Sequence, residues 1–281
     1  MNTLNKILKT SLFLLVLFVA ATGCKKTKQP ALGDYAKDVD PRFPLYPGGP
    51  LKFYAAFDGA GTDVLRNGVD SIRANFPASN TGAVADGISG KCFKGSETAL
   101  ATFAGVNDFT SYKNFTISFW IKKTPQAAGK GTNFAFCLNA KGYSWTNCKM
   151  FLEFEDWSTP TVGNAKLYVM DQWTEYINAN GMPNVLNGNW HHLAFTFNGT
   201  SIVCYIDGAM FRTNALSIPW VTGDLAGAYG GFESFTIGGP NKYTHDNQTW
   251  MNNWDGSIDQ FRLYGTALTA AEVAALYANK Q

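Results

Sequence analysis

From Leu51 onward, short runs of alternating apolar and polar residues recur, each ended by a cluster of Gly, Asn, Asp or Pro. A period of two sends successive side chains to opposite faces of an extended chain, so the pattern predicts half-buried strands rather than helices. The clearest run covers residues 115–122, where Phe115, Ile117, Phe119 and Ile121 share one face and Thr116, Ser118, Trp120 and Lys122 the other. Residues 190–197 and 201–206 form another pair, joined across Asn198-Gly199, the dipeptide that most strongly signals a tight hairpin. Only the tail departs from this rule. Thr269 with Glu272 fits a capping box, and Val273, Leu276 and Tyr277 recur at helical spacing, which predicts a short C-terminal helix. Residues 45–281 are therefore expected to form one all-β sandwich domain closed by that helix.

The first residues follow a different pattern. Lys6 and Lys9 precede an apolar run from Leu12 to Ala21, the layout of an export signal, and the run is about half the ~20 residues that a membrane span needs. Ala21-Thr22-Gly23-Cys24 resembles a bacterial lipobox. That resemblance implies a lipoprotein signal peptide over 1–23, lipidation of Cys24, and a lipoprotein of the Bacteroidota type. Such a protein would be held in the cell envelope, at the outer membrane, facing the periplasm or the cell exterior. Residues 24–44 show no period and are punctuated by Pro30, Pro41 and Pro44, so they read as a flexible tether with a reach of roughly 25 Å. Lys25, Lys26 and Lys28 stand where they would meet anionic headgroups, and the lipid anchor is the only membrane contact expected.

Composition changes this picture little. The 281 residues are 46% hydrophobic and 16% charged, enough apolar mass for a large core. Lysine and arginine number 23 and aspartate and glutamate 21; removing residues 1–23 takes two lysines and no acid, leaving 21 of each. A formally neutral mature chain lacks the basic footprint of a nucleic-acid binder. The common sequence-readable catalytic and metal motifs are missing. His191 and His192 are adjacent on a strand and point to opposite faces, so they cannot chelate one ion together. Glu153 and Glu155 share a strand face, which reads either as paired carboxylates or as a solvated face running into a polar loop.

Asp259 has the parity of Phe261 and Leu263, a face where an unpaired carboxylate is costly. Its partner is expected to be Arg262, Arg212 or a calcium ion. Cys92, Cys137, Cys148 and Cys204 permit three full disulfide pairings. Cys137 and Cys148 flank a predicted hairpin and make the favoured bridge, with buried thiols as the alternative. Cys204 shares the parity of Ile202 and Ile206 and is expected to be buried.

Trp120 and Trp190 sit in predicted strands and are expected to pack. Trp145, Trp157, Trp173, Trp220, Trp250 and Trp254 lie in segments rich in Asn, Asp, Thr and Gly, a setting that favours exposure and stacking on sugar rings. The densest cluster, residues 243–254, combines Tyr243, His245, Asn247, Trp250 and Trp254 and is the first candidate ligand-binding loop. A second runs over residues 168–176 and includes Trp173, with Tyr143, Ser144 and Trp145 as a neighbour across the sheet; the same segment reads equally as a buried strand crossing.

Four segments together, residues 115–122, 190–211, 235–239 and 254–277, resemble the laminin-G-like, concanavalin A-like jelly-roll family. The most specific is WDGSIDQFRLY over 254–264 followed by Ala267 to Glu272; Ala55-Ala56-Phe57-Asp58-Gly59 and Gly90-Lys91-Cys92-Phe93 match less closely. The resemblance spans residues 50–280 and implies two antiparallel sheets of six or seven strands, with sugars bound at loops or on a concave face. It also implies a structural calcium near Asp58 and Asp259, its shell completed by loop carbonyls. The acidic pattern of endoglucanases sharing this sandwich, Glu-x-Asp-x-x-Glu, fails at Glu155 and Ser158. The resulting expectation is an envelope-anchored, non-catalytic carbohydrate-binding lipoprotein that captures glycans or polysaccharides, with protein partners in a glycan-uptake system. The competing readings are a protein-binding or adhesive module of the same fold, and a glycoside hydrolase or polysaccharide lyase.

Overall fold

A computed structural model describes residues 50–58, 84–140, 148–170, 172–216, 232–240 and 249–280. The signal segment, Cys24, the tether, Trp145 and Trp220 lie outside the described residues. Strands form over the alternating runs at 115–122, 190–197 and 201–206, and over others besides. They are β1 (Leu51–Ala55), β2 (Val84–Asp86), β3 (Lys91–Lys94), β4 (Ala101–Phe103), β5 (Phe115–Lys122) and β6 (Thr132–Ala140) in the first half. Next come β7 (Met150–Phe154), β8 (Val162–Gly163), β9 (Ala165–Val169), β10 (Gln172–Tyr176) and β11 (Met182–Pro183). The chain continues through β12 (Trp190–Phe197), β13 (Ser201–Ile206), β14 (Ala209–Ala215), β15 (Phe232–Ile237), β16 (Met251–Asn253) and β17 (Ser257–Tyr264), and ends in helix α1 (Ala270–Ala278).

An eight-stranded sheet runs β14-β13-β12-β5-β17-β3-β2, with β1 also paired to β17. A seven-stranded sheet runs β10-β9-β7-β6-β15-β4, and β16 pairs with β6 in parallel at one end. The remaining pairs in both sheets are antiparallel, so the jelly-roll sandwich is as expected, apart from one parallel pair and an eighth strand where six or seven were expected.

The inner faces of the sheets enclose one continuous core. Its centre is aromatic: Phe53 meets Phe103 and Phe235 edge-on at 4.8 and 5.1 Å, and Phe119 stacks on Phe261 at 5.0 Å. Such rings bury the largest apolar areas available and add directional contacts. Strand β5 contributes Phe115, Ile117, Phe119 and Ile121 inward, as its alternation required.

Its other face is buried too, because α1 lies over it. Val273 and Leu276 join an outer cluster with Leu51, Tyr54 and Tyr264, and Tyr277 stacks on Trp120 at 5.4 Å. Thr269 and Glu272 close the predicted capping box. Trp190 is half-buried.

The β12–β13 hairpin forms with its turn one residue on from the predicted place. Asn198 N–H donates to the Ser201 carbonyl, so the two central residues are Gly199 and Thr200, and Gly199 takes φ +89°. Positive φ at the first central position only is the turn in which glycine leads, and Asn198 instead braces the turn by accepting from Thr200 and Ser201 N–H.

Candidate functional site

The outer face of the seven-stranded sheet carries a row of side chains in direct cross-strand register: Thr102, Thr236, Cys137, Phe151, Tyr168 and Trp173. Directly opposed residues share a face and touch. The rings of Phe151 and Tyr168 stack at 4.9 Å, Tyr168 meets Trp173 at 5.0 Å, and Phe134 lies 5.2 Å from Phe151. Trp250 extends the group, 5.9 Å from Phe134. Most of these rings are closed off, but Trp173 remains 45% exposed at the edge of the row and Trp250 is half-buried. An indole packed edge-to-face against two rings, at 63° to Tyr168 and 76° to Phe151, is held rigidly.

A second row runs beside the first: Phe134, Glu153, Lys166 and Glu175. Lys166 forms an ion pair with Glu155, just beyond the end of β7. Glu153 is only 3% exposed, and among the described residues nothing hydrogen-bonds its Oε2. Burial, helped by the nearby carboxylates of Glu155 and Glu175 and opposed by Lys166, pushes its carboxyl up to about 8. The solvated face expected for this segment is therefore corrected: Phe134 and Lys166, directly opposed across the flanking strands, help close Glu153 off, and at neutral pH it keeps its proton.

The residues singled out from sequence fall into three groups. Trp173 belongs to the aromatic row, and Trp250 joins it through Phe134. Trp254 does not: it is fully buried in the core, 5.5 Å from Phe154 and with the Lys123 ammonium 5.3 Å from its ring. A polar neighbourhood in sequence hid an inward-pointing ring there. Tyr243, His245 and Asn247 lie outside the described residues. Neither Phe134 nor Phe151 was legible: Phe151 stands in an unbroken apolar run between Met150 and Leu152, and a bulge separates Phe134 from Phe136. Trp157, 44% exposed, follows β7.

Asp58 and Asp259 come together at the other sheet. The end of β1, the β2–β3 turn and β17 converge there. Lys91 N–H donates to Asp58 Oδ1 at 2.6 Å, while Ile88 and Gln260 N–H donate to Asp259 Oδ2 and Oδ1 at 2.8 and 2.7 Å. A Cβ on Gly87 would collide with Asp259 Oδ2, and one on Gly90 with Asp58 Oδ1, so the turn is shaped around two carboxylates. Burial raises both carboxyls, and Asp58 raises Asp259 further.

The expected face of Asp259 is corrected. It stands opposite Trp120, away from Phe261 and Leu263, because a bulge at Gln260, with φ +47°, inserts one residue and inverts the alternation. Arg262 donates to Tyr54 Oη and the Gln260 side chain, and its charge opposes the rise of both carboxyls. A buried and a half-buried carboxylate beside a turn backbone are hard oxygen donors of the kind calcium takes, so the residues present fit that ion. No cluster of three or more His, Cys, Asp or Glu side chains that could hold a metal occurs among the described residues.

Residues 94–274 match the model of the Concanavalin A-like lectin/glucanases superfamily, and the chain belongs to that superfamily. No curated protein matches the sequence. Among solved structures the chain is similar to domain 4 of AbnA, a GH43 extracellular arabinanase from Geobacillus stearothermophilus, in complex with arabinotriose. The identity is 20% and the TM-score 0.56, over 81% of this chain and 98% of that one. It is also similar to the binding domain of botulinum neurotoxin DC in complex with SialylT, at 13% identity and TM-score 0.54, covering 83% of this chain and 52% of that one. A third is Trypanosoma rangeli sialidase in complex with 2,3-difluorosialic acid, at 17% identity and TM-score 0.51, covering 81% and 33%. The chain thus spans half the neurotoxin binding domain and a third of the sialidase. At these identities the likeness establishes the fold.

Proposed function

We propose that this protein is an envelope-anchored, non-catalytic glycan-binding lipoprotein whose ligand platform is the outer face of the seven-stranded sheet, centred on Trp173. The observation that carries this reading is the supported, half-exposed indole of Trp173 at the end of an aromatic row, flanked by Lys166, Glu155 and Glu175. Flat aromatic faces bind the apolar faces of sugar rings, and polar groups beside them take the hydroxyls. The glycan held by the similar arabinanase domain lends support. The leader and Cys24 motif support the anchor. Calcium, on this reading, is held by Asp58 and Asp259 with carbonyls of the 87–90 turn and has a structural role.

A hydrolytic reading has one observation in its favour: Glu153 holds a proton at neutral pH while Glu155 is an ion-paired carboxylate. Against it, the Glu153 Oε2 is closed from solvent. One experiment separates the readings. The purified full chain is titrated with a panel of polysaccharides and every mixture is analysed for products. Binding without new reducing or unsaturated ends, weakened about tenfold, or ~1.4 kcal/mol, by Trp173→Ala, is the expected result. Turnover would overturn the non-catalytic role, and glycan binding untouched by Trp173→Ala would overturn the platform.

A further inference from the structure

Cys137 lies in the middle of β6 and Cys148 at the entry to β7, eleven positions on in the same hairpin. The strands are held in register by Leu138 opposite Met150 and by Lys149 N–H donating to the Leu138 carbonyl at 2.9 Å. Both cysteines are fully buried in the outer cluster with Phe134, Phe151, Tyr168 and Met251. Their sulfurs are 3.0 Å apart, Cys137 Sγ donating to Cys148 Sγ. Heavy atoms that merely pack settle at about 3.5–4.0 Å, and a disulfide closes to about 2.05 Å. The pair therefore stands well inside packing distance.

Among the four described cysteines no other pairing competes. Cys92 on β3 and Cys204 on β13 are separated in their sheet by β17, β5 and β12. Four strand spacings are roughly 19 Å, beyond the ~7 Å between Cα atoms that a bridge tolerates. Both belong to the opposite sheet from Cys137 and Cys148, and Cys137 faces away from it.

We propose that Cys137 and Cys148 are joined by a disulfide, formed by exchange with a low-molecular-weight or protein disulfide while the chain folds. One thiolate attacks a sulfur of the external disulfide and releases a thiol; the second thiolate then displaces the other half of the reagent. Two protons and two electrons leave the cysteine pair, and one external disulfide becomes two thiols. Burial pushes the Cys137 thiol up, which disfavours the attacking thiolate in the folded state, so the exchange belongs to folding, before the rings close over the pair. The bridge ties the middle of β6 to the entry of β7, immediately beside Phe151 in the aromatic row.

The full chain is unfolded, refolded to its native circular dichroism in a glutathione redox buffer, and blocked with N-ethylmaleimide in denaturant before tryptic digestion. Cleavage after Lys130, Lys141 and Lys149 places Cys137 in peptide 131–141 and Cys148 in peptide 142–149. The expected result is one linked species about 2 Da lighter than the two thiol peptides together, with Cys92 and Cys204 carrying the maleimide. Recovery of 131–141 and 142–149 as separate peptides, each bearing maleimide or glutathione, overturns the proposal. The result is independent of glycan binding, so it stands or falls apart from the functional reading.

Discussion

Glu153 is a carboxyl held by its neighbours in the protonated form, and that has a measurable sign. The folded protein keeps its proton up to about 8, whereas glutamates in the unfolded chain release theirs near pH ~4.3. Its contribution to stability is therefore full below the unfolded value and is lost as pH rises toward the folded one. His192 titrates the other way: burial and the Arg262 charge push it down to about 3, so its contribution is full above ~6.5 and is lost as pH falls. Comparing Glu153→Gln with wild type at each pH cancels His192. Urea unfolding should show the variant gaining stability between about pH 5 and 8, by roughly 1–3 kcal/mol at the upper end. A difference that stays flat with pH would refute this account of Glu153. At this scale the sequence identified Trp173, whose neighbours in the chain are polar, and misjudged Trp254, whose neighbours are equally polar. What separates them is the tertiary packing of Phe154 and Lys123 around one indole and not the other.

Elements were legible wherever a two-residue period ran unbroken, as in β5, β12 and β13, and where a local signal had its own mechanism, as in the capping box of α1. Two bulges mark where legibility ended. One puts Phe134 on the outer face of β6 while Phe136 points inward; the other puts Asp259 and Phe261 on opposite faces of β17. In each, one extra residue reverses the parity of everything beyond it, and neither site carries the glycine that would announce a bulge. The helix gives the cleanest test at this scale, because its cap is exposed and separable from the core. Thr269 accepts from Glu272 N–H at 3.3 Å while the Glu272 carboxylate accepts from Thr269 N–H at 2.7 Å. Thr269→Ala removes one of the two and should cost about 1 kcal/mol, read as a melting midpoint roughly 2–4 °C lower for a domain of this size. Since α1 covers Trp120 through Tyr277, tryptophan fluorescence should shift in the same transition; an unchanged midpoint would mean the cap contributes nothing to docking.

The first and last strands of the described domain meet, because β1 pairs antiparallel with β17, and the end of β1 and the start of β17 lie beside the β2–β3 turn. Asp58 and Asp259 sit at that junction, both with carboxyls raised by burial, and Asp58 adds its repulsion to Asp259. Arg262 opposes this only in part, so without a bound metal ion the arrangement is destabilising at neutral pH; calcium held by the two carboxylates would make it a clamp present only in the folded state. An ion at a hundred times its dissociation constant adds about 2.7 kcal/mol, which for this size of domain is roughly 5–10 °C in melting midpoint. The full chain should therefore melt higher in calcium than in chelator. Asp58→Asn gives a sharper answer through its sign, since the amide oxygen can keep the Lys91 N–H bond while the charge is lost. If calcium is bound, the variant should lose most of the calcium-dependent rise and melt below wild type in calcium; in chelator it should match or exceed wild type, because the repulsion with Asp259 is gone. A variant more stable than wild type in both buffers would mean that the two carboxylates face each other with no ion to hold them.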